Sequence, residues 1–121
     1  GTPIRVFNDG QMRRDFTYID DIVEGVVRVL DRPPRADTDG APYAIYNIGN
    51  HEAVELEEII STLEQLLGRK AIRDYQPMQA GDVPATYAAI DRLRALTGFA
   101  PSTPLADGLA RFVAWYRDYF R

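Results

Sequence analysis

Arg13-Arg14-Asp15-Phe16-Thr17-Tyr18-Ile19-Asp20-Asp21 is the stretch whose reading decides the fold. It sets arginines, carboxylates and aromatics together, directly ahead of the apolar run that begins at Ile22-Val23. Physically it is an extended segment that turns into a helix. Asp20 suits the N-cap, because its carboxylate can accept the orphan backbone donors of a first turn. Asp21 then lies in that turn and favours its positive end. The arginines fall upstream of the helix, where a guanidinium can grip a phosphate through two parallel hydrogen bonds. The plain alternative is an ion pair between Arg14 and Asp15, and most exposed pairs of that kind contribute little.

Working outward, the helix is expected over 20–31. Ile22, Val23, Val26, Val27, Val29 and Leu30 are too widely spread for one stripe, so it is expected to be covered on more than one side. Upstream, Ile4-Arg5-Val6-Phe7 reads as a short strand and Asn8-Asp9-Gly10 as a turn. Downstream, residues 32–42 hold prolines, a glycine and charges, and read as a loop. Tyr43-Ala44-Ile45-Tyr46-Asn47-Ile48 is apolar on both faces, as a buried central strand is. Leu56, Ile59, Ile60, Leu63, Leu66 and Leu67 follow the helical period, behind Glu55, Glu57 and Glu58 and ahead of Gly68 as the stop. A strand is expected over 71–75, an irregular loop over 76–86, and a short helix over 90–96 stopped by Gly98. Thr103 as N-cap and Pro104 at the first position open the last helix. Its apolar stripe is Leu105, Leu109, Phe112, Val113 and Tyr116. The fold class is α/β: a small mixed domain with about four helices and short strands.

A chain of 121 residues suits one domain with a modest core. With 45% apolar and 26% charged residues it has the composition of an ordinary globular protein. No apolar run reaches the ~20 residues of a membrane helix, and no secretory signal pattern is present. Cysteine is absent, which excludes disulfides and thiolate metal sites and leaves the redox compartment open. The first residue is Gly, not Met, so a fragment of a longer protein is expected. The net charge is −4, yet all the basic residues except Lys70 are arginines. A nucleic-acid binder would show a net basic face. Arginines placed singly against carboxylates or phosphates suit this chain better, so neither nucleic acid nor membrane is expected as a partner.

Six segments together carry a resemblance. They are the opening Arg-Asp-aromatic with Tyr-Ile-Asp-Asp, Tyr46-Asn47-Ile48-Gly49-Asn50, Val54-Glu55-Leu56, Pro77-Met78-Gln79-Ala80-Gly81-Asp82-Val83, Gly98-Phe99-Ala100-Pro101-Ser102-Thr103-Pro104, and Phe112-Val113-Ala114-Trp115-Tyr116. In order and spacing they resemble the extended short-chain dehydrogenase/reductases that act on nucleotide sugars. The Met-Gln-x-Gly-Asp-Val loop is most similar to the UDP-glucuronate 4-epimerase branch of these NAD-dependent epimerases and dehydratases. Two positions depart from the pattern: Ala80 stands where the family has Pro, and Ala89 where it usually has Asp at a helix start.

The resemblance implies that residues 1–121 form the C-terminal, UDP-sugar-binding portion of such an enzyme. The family keeps its glycine-rich NAD fingerprint and its Tyr-x-x-x-Lys catalytic pair in an N-terminal domain, and neither pattern occurs here. NAD is therefore expected on the missing domain, and no catalytic, cofactor-binding or metal-binding residue is expected in this chain. Alone it should not catalyse. The elements at 20–31 and 43–48 are expected to pack on the missing domain. The family further implies C4 epimerisation of UDP-glucuronate and UDP-galacturonate in surface polysaccharide biosynthesis, by a cytoplasmic homo-oligomer. There, hydride leaves C4 for NAD while the catalytic Tyr takes the hydroxyl proton; the 4-keto sugar then rotates and hydride returns to the other face. The rival readings are a dehydratase, decarboxylase or reductase on the same scaffold, or a non-catalytic binding module.

Carried onto matching positions, the family's pattern makes Arg14 the contact for the substrate pyrophosphate and sets Phe7 against the nucleotide base. Phe7 serves equally well as a core residue. Gln79 stands where galactose-type epimerases carry a phosphate-binding Arg, and a hydrogen bond to ribose or phosphate is expected of it. Asp82 matches a ribose or loop-anchoring group. Thr86 falls where relatives place a residue against the sugar ring. Arg13 and His51 read as solvated, since His51 has no partner at ligand spacing. Trp115 and the neighbouring tyrosines read as the core of the last helix.

Overall fold

The computed structural model describes residues 1–34, 40 and 42–120. Residues 35–39 and 41, which fall in the loop expected over 32–42, lie outside the described residues, as does 121. The chain is mixed α/β, with four strands, four α-helices and a 3-10 turn among the described residues. Strand β1 (Ile4–Phe7) pairs in parallel with β4 (Arg73–Gln76), Ile4 opposite Arg73 and Phe7 opposite Gln76. Strand β2 (Arg13–Asp15) pairs antiparallel with β3 (Ala53–Glu55). The link from β1 to β2 is a tight turn at Asn8–Gly10, where Asn8, Asp9 and Gly10 all have positive φ.

Helix α2 (Leu56–Leu67) follows β3 directly. It ends at Gly68 with φ +65°, where Gly68 and Arg69 donate backward to the carbonyls of Gln65 and Glu64. Those two bonds are the Schellman closure that a left-handed glycine permits. Glu64, on the inward side of α2, accepts from Lys70 Nζ at 2.8 Å, the Ala71 amide at 2.9 Å and Arg73 Nη1 at 2.7 Å. This ties α2 to β4, and the three donors hold the Glu64 carboxyl at about 2, below its usual range. Glu57 adds a second link, accepting from Arg73 Nε and the Tyr75 hydroxyl; that bond raises the Tyr75 phenol.

Helix α1 (Ile19–Leu30) begins after Tyr18, so Asp20 lies in the first turn and is not the cap. Asp21 reaches elsewhere: its Oδ2 accepts the amides of Ser102 and Thr103 at 3.2 and 2.9 Å. That contact fixes the entry of α4 (Leu105–Tyr119), whose first turn starts one residue later than expected, with extended Pro104 at the N-cap. Helix α3 (Asp91–Thr97) ends at Gly98, φ +69°.

The core is small: Val6, Met12, Val54, Ile59, Ile60, Ile90, Leu93 and Val113 are buried. Two expectations about packing are corrected. Residues 43–48 form no strand, because no backbone among the described residues lies alongside to pair with them. The segment keeps a two-residue alternation, with Ala44, Tyr46 and Ile48 half-buried and Tyr43, Ile45 and Asn47 exposed. Ile48 fills the groove at Gly25, where a Cβ would lie 3.0 Å from it. The aromatics of α4 are not core: Phe112, Trp115, Tyr116 and Tyr119 are exposed and pack on one another, with Trp115 stacked on Tyr119 at 5.4 Å. Helix α1 likewise leaves Ile19, Val23, Val26, Val27 and Leu30 exposed.

Candidate functional site

After β4, residues 77–86 turn back and lie along β2. The Arg13 amide donates to the Pro84 carbonyl at 2.9 Å, and the Thr86 amide to the Arg13 carbonyl at 3.1 Å. The loop tip is a β-turn in which the Asp82 amide donates to the Gln79 carbonyl at 3.2 Å and Gly81 takes φ +85°. Positive φ at the third position is the type II requirement, which glycine meets; Ala80 sits at the second position, where proline is favoured.

Four of the five expected site residues meet on this loop and strand. Arg14 Nη2 lies 2.7 Å from Asp82 Oδ1, and Arg14 Nη1 donates to the Arg13 carbonyl. The partner of Arg14 is thus Asp82, not its neighbour Asp15. The same Asp82 oxygen accepts the amide of the next residue, Val83, at 2.8 Å. Thr86 is exposed, and its Oγ1 accepts the Asp15 amide at 3.2 Å. Gln79 is exposed at the tip. Phe7 stands apart from the ion pair, half-buried at the end of β1 opposite Gln76, where the loop begins. Arg13 is exposed at the surface, where it pairs with its equally exposed cross-strand neighbour Glu55 at 3.2 Å and donates to the Ala53 carbonyl. His51 differs from the solvated expectation. It is half-buried at φ +48°, a conformation histidine tolerates better than most residues, and its Nδ1 is buried without a hydrogen-bond partner. Among the described residues no group of His, Cys, Asp or Glu is arranged to hold a metal. No described helix is long and apolar enough to cross a membrane.

Sequence reasoning missed Asp15. Its side chain points away from Arg14, as neighbours on a strand do. Oδ1 accepts the Asn50 amide and Oδ2 the Ala88 amide, each at 2.9 Å. The available signal was the Asn-x-Gly-Asn turn itself: a glycine and buried asparagine ending an apolar segment need a partner for their amides.

Two hollows flank these elements. One, of about 470 Å³, is lined by Thr17, Tyr46, Asn47, Thr86 and Tyr87, with Asp15, Ile48, Gly49 and Ala88 at its base. The other, of about 680 Å³, runs between the start of α1 and α4 and is lined mostly by apolar and aromatic side chains such as Phe16, Ile19, Leu109 and Trp115. It contains none of the five expected residues, and its lining offers a polar ligand few partners. The smaller hollow, which holds Thr86, is the candidate for a polar ligand.

Residues 1–49 match the model of the NAD dependent epimerase/dehydratase family. The whole chain is 45% identical to a probable UDP-glucuronate 4-epimerase of Rhizobium meliloti, and 98% of it is 43% identical to protein CapI of Staphylococcus aureus. The chain spans about two fifths (39%) of the length of each of these curated relatives. In structure it is similar to UDP-glucuronic acid 4-epimerase from Bacillus cereus in complex with UDP-glucuronic acid and NAD. That likeness has a TM-score of 0.81 and 30% identity, and covers 98% of this chain and 36% of the other.

Proposed function

We propose that this chain, which belongs to the NAD dependent epimerase/dehydratase family, is the UDP-sugar-binding portion of a nucleotide-sugar 4-epimerase that interconverts UDP-glucuronate and UDP-galacturonate in surface polysaccharide biosynthesis. The observation that carries this reading is the folding of the 77–86 loop onto β2. It brings the loop carboxylate of Asp82 against Arg14, and the Thr86 hydroxyl against the Asp15 amide at the lining of a polar hollow. Arg14 offers a planar fork to a pyrophosphate oxygen pair. Asp82 keeps that fork extended and is positioned to turn to a ribose hydroxyl when phosphate takes its place. Thr86 faces the sugar, Gln79 adds a hydrogen bond at the tip, and Phe7 meets the base.

The residues of this chain do not form a dinucleotide cradle. Its glycines fall singly, none in the fingerprint spacing ahead of a helix. NAD and the catalytic tyrosine–lysine pair accordingly belong to a part of the protein outside these residues, packed against α1 and the segment 43–48. The role of this chain is to hold the nucleotide handle, so that binding energy from a non-reacting group keeps the sugar in register while its ring turns. A cytoplasmic homo-oligomer is the expected setting.

The test is an assay of the intact protein with UDP-glucuronate and NAD, with products identified by NMR. UDP-galacturonate is the expected product. A decarboxylated or dehydrated sugar would move the protein to a sister reaction, and the absence of any turnover together with the absence of UDP binding would leave a non-catalytic module.

A further inference from the structure

We propose that Asp15 is a positioning residue that sets the shape of the hollow beside Thr86, and so controls affinity for the glycosyl end of the nucleotide sugar. The inference rests on the UDP-sugar reading above and deepens it.

Asp15 joins three segments that are distant in sequence. Its two carboxylate oxygens each accept one backbone amide, Asn50 on one side and Ala88 on the other, at 2.9 Å. Its own amide donates to Thr86 Oγ1, and Thr17 Oγ1 shares the Asn50 amide at 3.0 Å. Bonds to an ionised acceptor are the stronger kind. They draw the backbone at 49–50 and at 86–88 unusually close. A Cβ at Gly49 would lie 2.3 Å from the Ala88 Cβ and 3.1 Å from Asp15 Oδ2, so only glycine allows the approach.

The hollow of about 470 Å³ opens on this junction. Its exposed rim carries the Asn47 amide, the Thr86 hydroxyl and the Tyr87 phenol. Hydroxyl and amide groups with a ring face suit a polyhydroxylated ring more than an apolar one. Strand β2 therefore divides the work between adjacent residues. Arg14 points to the loop and takes charge; Asp15 points the other way and holds the walls that meet the sugar. Asp15 also lines the base of the hollow, with its carboxylate oxygens taken up by the two wall amides.

The experiment measures UDP and UDP-glucuronate binding separately, by calorimetry on the intact protein. In Asp15→Asn the amide keeps the shape but can no longer accept from both backbone N–H groups. UDP-glucuronate affinity is expected to fall about tenfold while UDP affinity stays within about twofold. Parallel losses for both ligands, or no loss for either, would overturn the proposal. Gly49→Ala pushes the same walls apart, chiefly against the Ala88 methyl, while the chain keeps the Asp15 carboxylate, and should reproduce the selective loss. Adding Ala88→Gly removes the obstructing methyl and should restore the sugar affinity; failure of Gly49→Ala to lose it, or of the pair to regain it, also overturns the proposal. Should Asp15→Asn not fold, the Gly49 and Ala88 variants carry the test. Wild-type protein that binds neither ligand would instead overturn the nucleotide-sugar reading.

Discussion

Replacing Arg14 with alanine should weaken UDP binding to the intact protein by about 2 kcal/mol, or about 30-fold. A hydrogen bond to a charged group contributes about 1.5–3 kcal/mol, and a fork on a diphosphate can make two. Against this stands the pair that the ligand must break. Arg14 and Asp82 are 2.7 Å apart with side chains 23% and 35% exposed, a setting in which an ion pair is worth about 1 kcal/mol or less. The variant also strands the Asp82 carboxylate beside incoming phosphate, which adds repulsion. The gain therefore exceeds the displaced pair, and the net loss falls near the stated figure. Isothermal calorimetry with UDP measures it. Because the broken pair is weak, the melting temperature should fall by no more than about 4 °C. An unchanged dissociation constant would remove Arg14 from the site and with it the phosphate role of β2.

Three further outcomes are expected. The Glu64 carboxyl is held at about 2 in the folded chain against an ordinary value of 4.5; its stabilisation is therefore complete above that ordinary value and is lost as pH falls from there towards 2. Glu64→Gln should flatten this acid limb in circular-dichroism unfolding curves, and coincident limbs for variant and wild type would sink the assignment. The isolated chain should bind UDP-glucuronate only weakly, since it supplies part of a pocket; a micromolar constant by calorimetry would contradict that. The isolated chain should also associate through α1 or the segment 43–48, where Ile19, Leu30, Tyr43 and Ile45 are at least 60% exposed. Sedimentation showing a monomer at high concentration would refute this, and any such dimer reflects bared surface, not a native interface.

The elements most legible in the sequence were those whose signal is local. The period of α2 and its Gly68 stop need no partner to be read, and the same holds for Gly98 after α3. The β2–β3 pair escaped notice because strands of three residues carry no alternation to detect. Residues 43–48 misled for the opposite reason: a strong strand composition cannot make a strand without a neighbour to pair with. The apolar run of α4 reads as core in the sequence, since composition does not say whether a covering surface exists. Within the candidate site, Arg14, Asp82 and Thr86 are named from motif positions, but the Arg14–Asp82 pair and the bond from the Asp15 amide to Thr86 depend on a chain reversal that only the folded loop reveals. Asp15 looked like a partner for Arg14 because adjacency in sequence hides the alternation of a strand. Glu64 left a signal that went unread. It sits one helical turn beyond Ile60 on the apolar side of α2, ahead of Arg69, Lys70 and Arg73.

The parallel pairing of β1 with β4 has a consequence for the order in which this chain folds. Ile4 must find Arg73, and closing a loop of roughly 70 residues costs on the order of 4 kcal/mol of chain entropy before any contact compensates. Helix α2, the turn at Gly68 and β4 close over a short span, so this unit can form early and wait as an open edge. Of the strands described, β1 is made before its partner β4 and is then among the last to dock. At ~5–20 residues per second of synthesis, Val6 and Phe7 stay unpaired for several seconds, a window in which the nascent segment depends on chaperones or on its own solubility. In hydrogen exchange the same asymmetry should persist in the finished protein, with β1 amides released by partial openings that leave α2 protected.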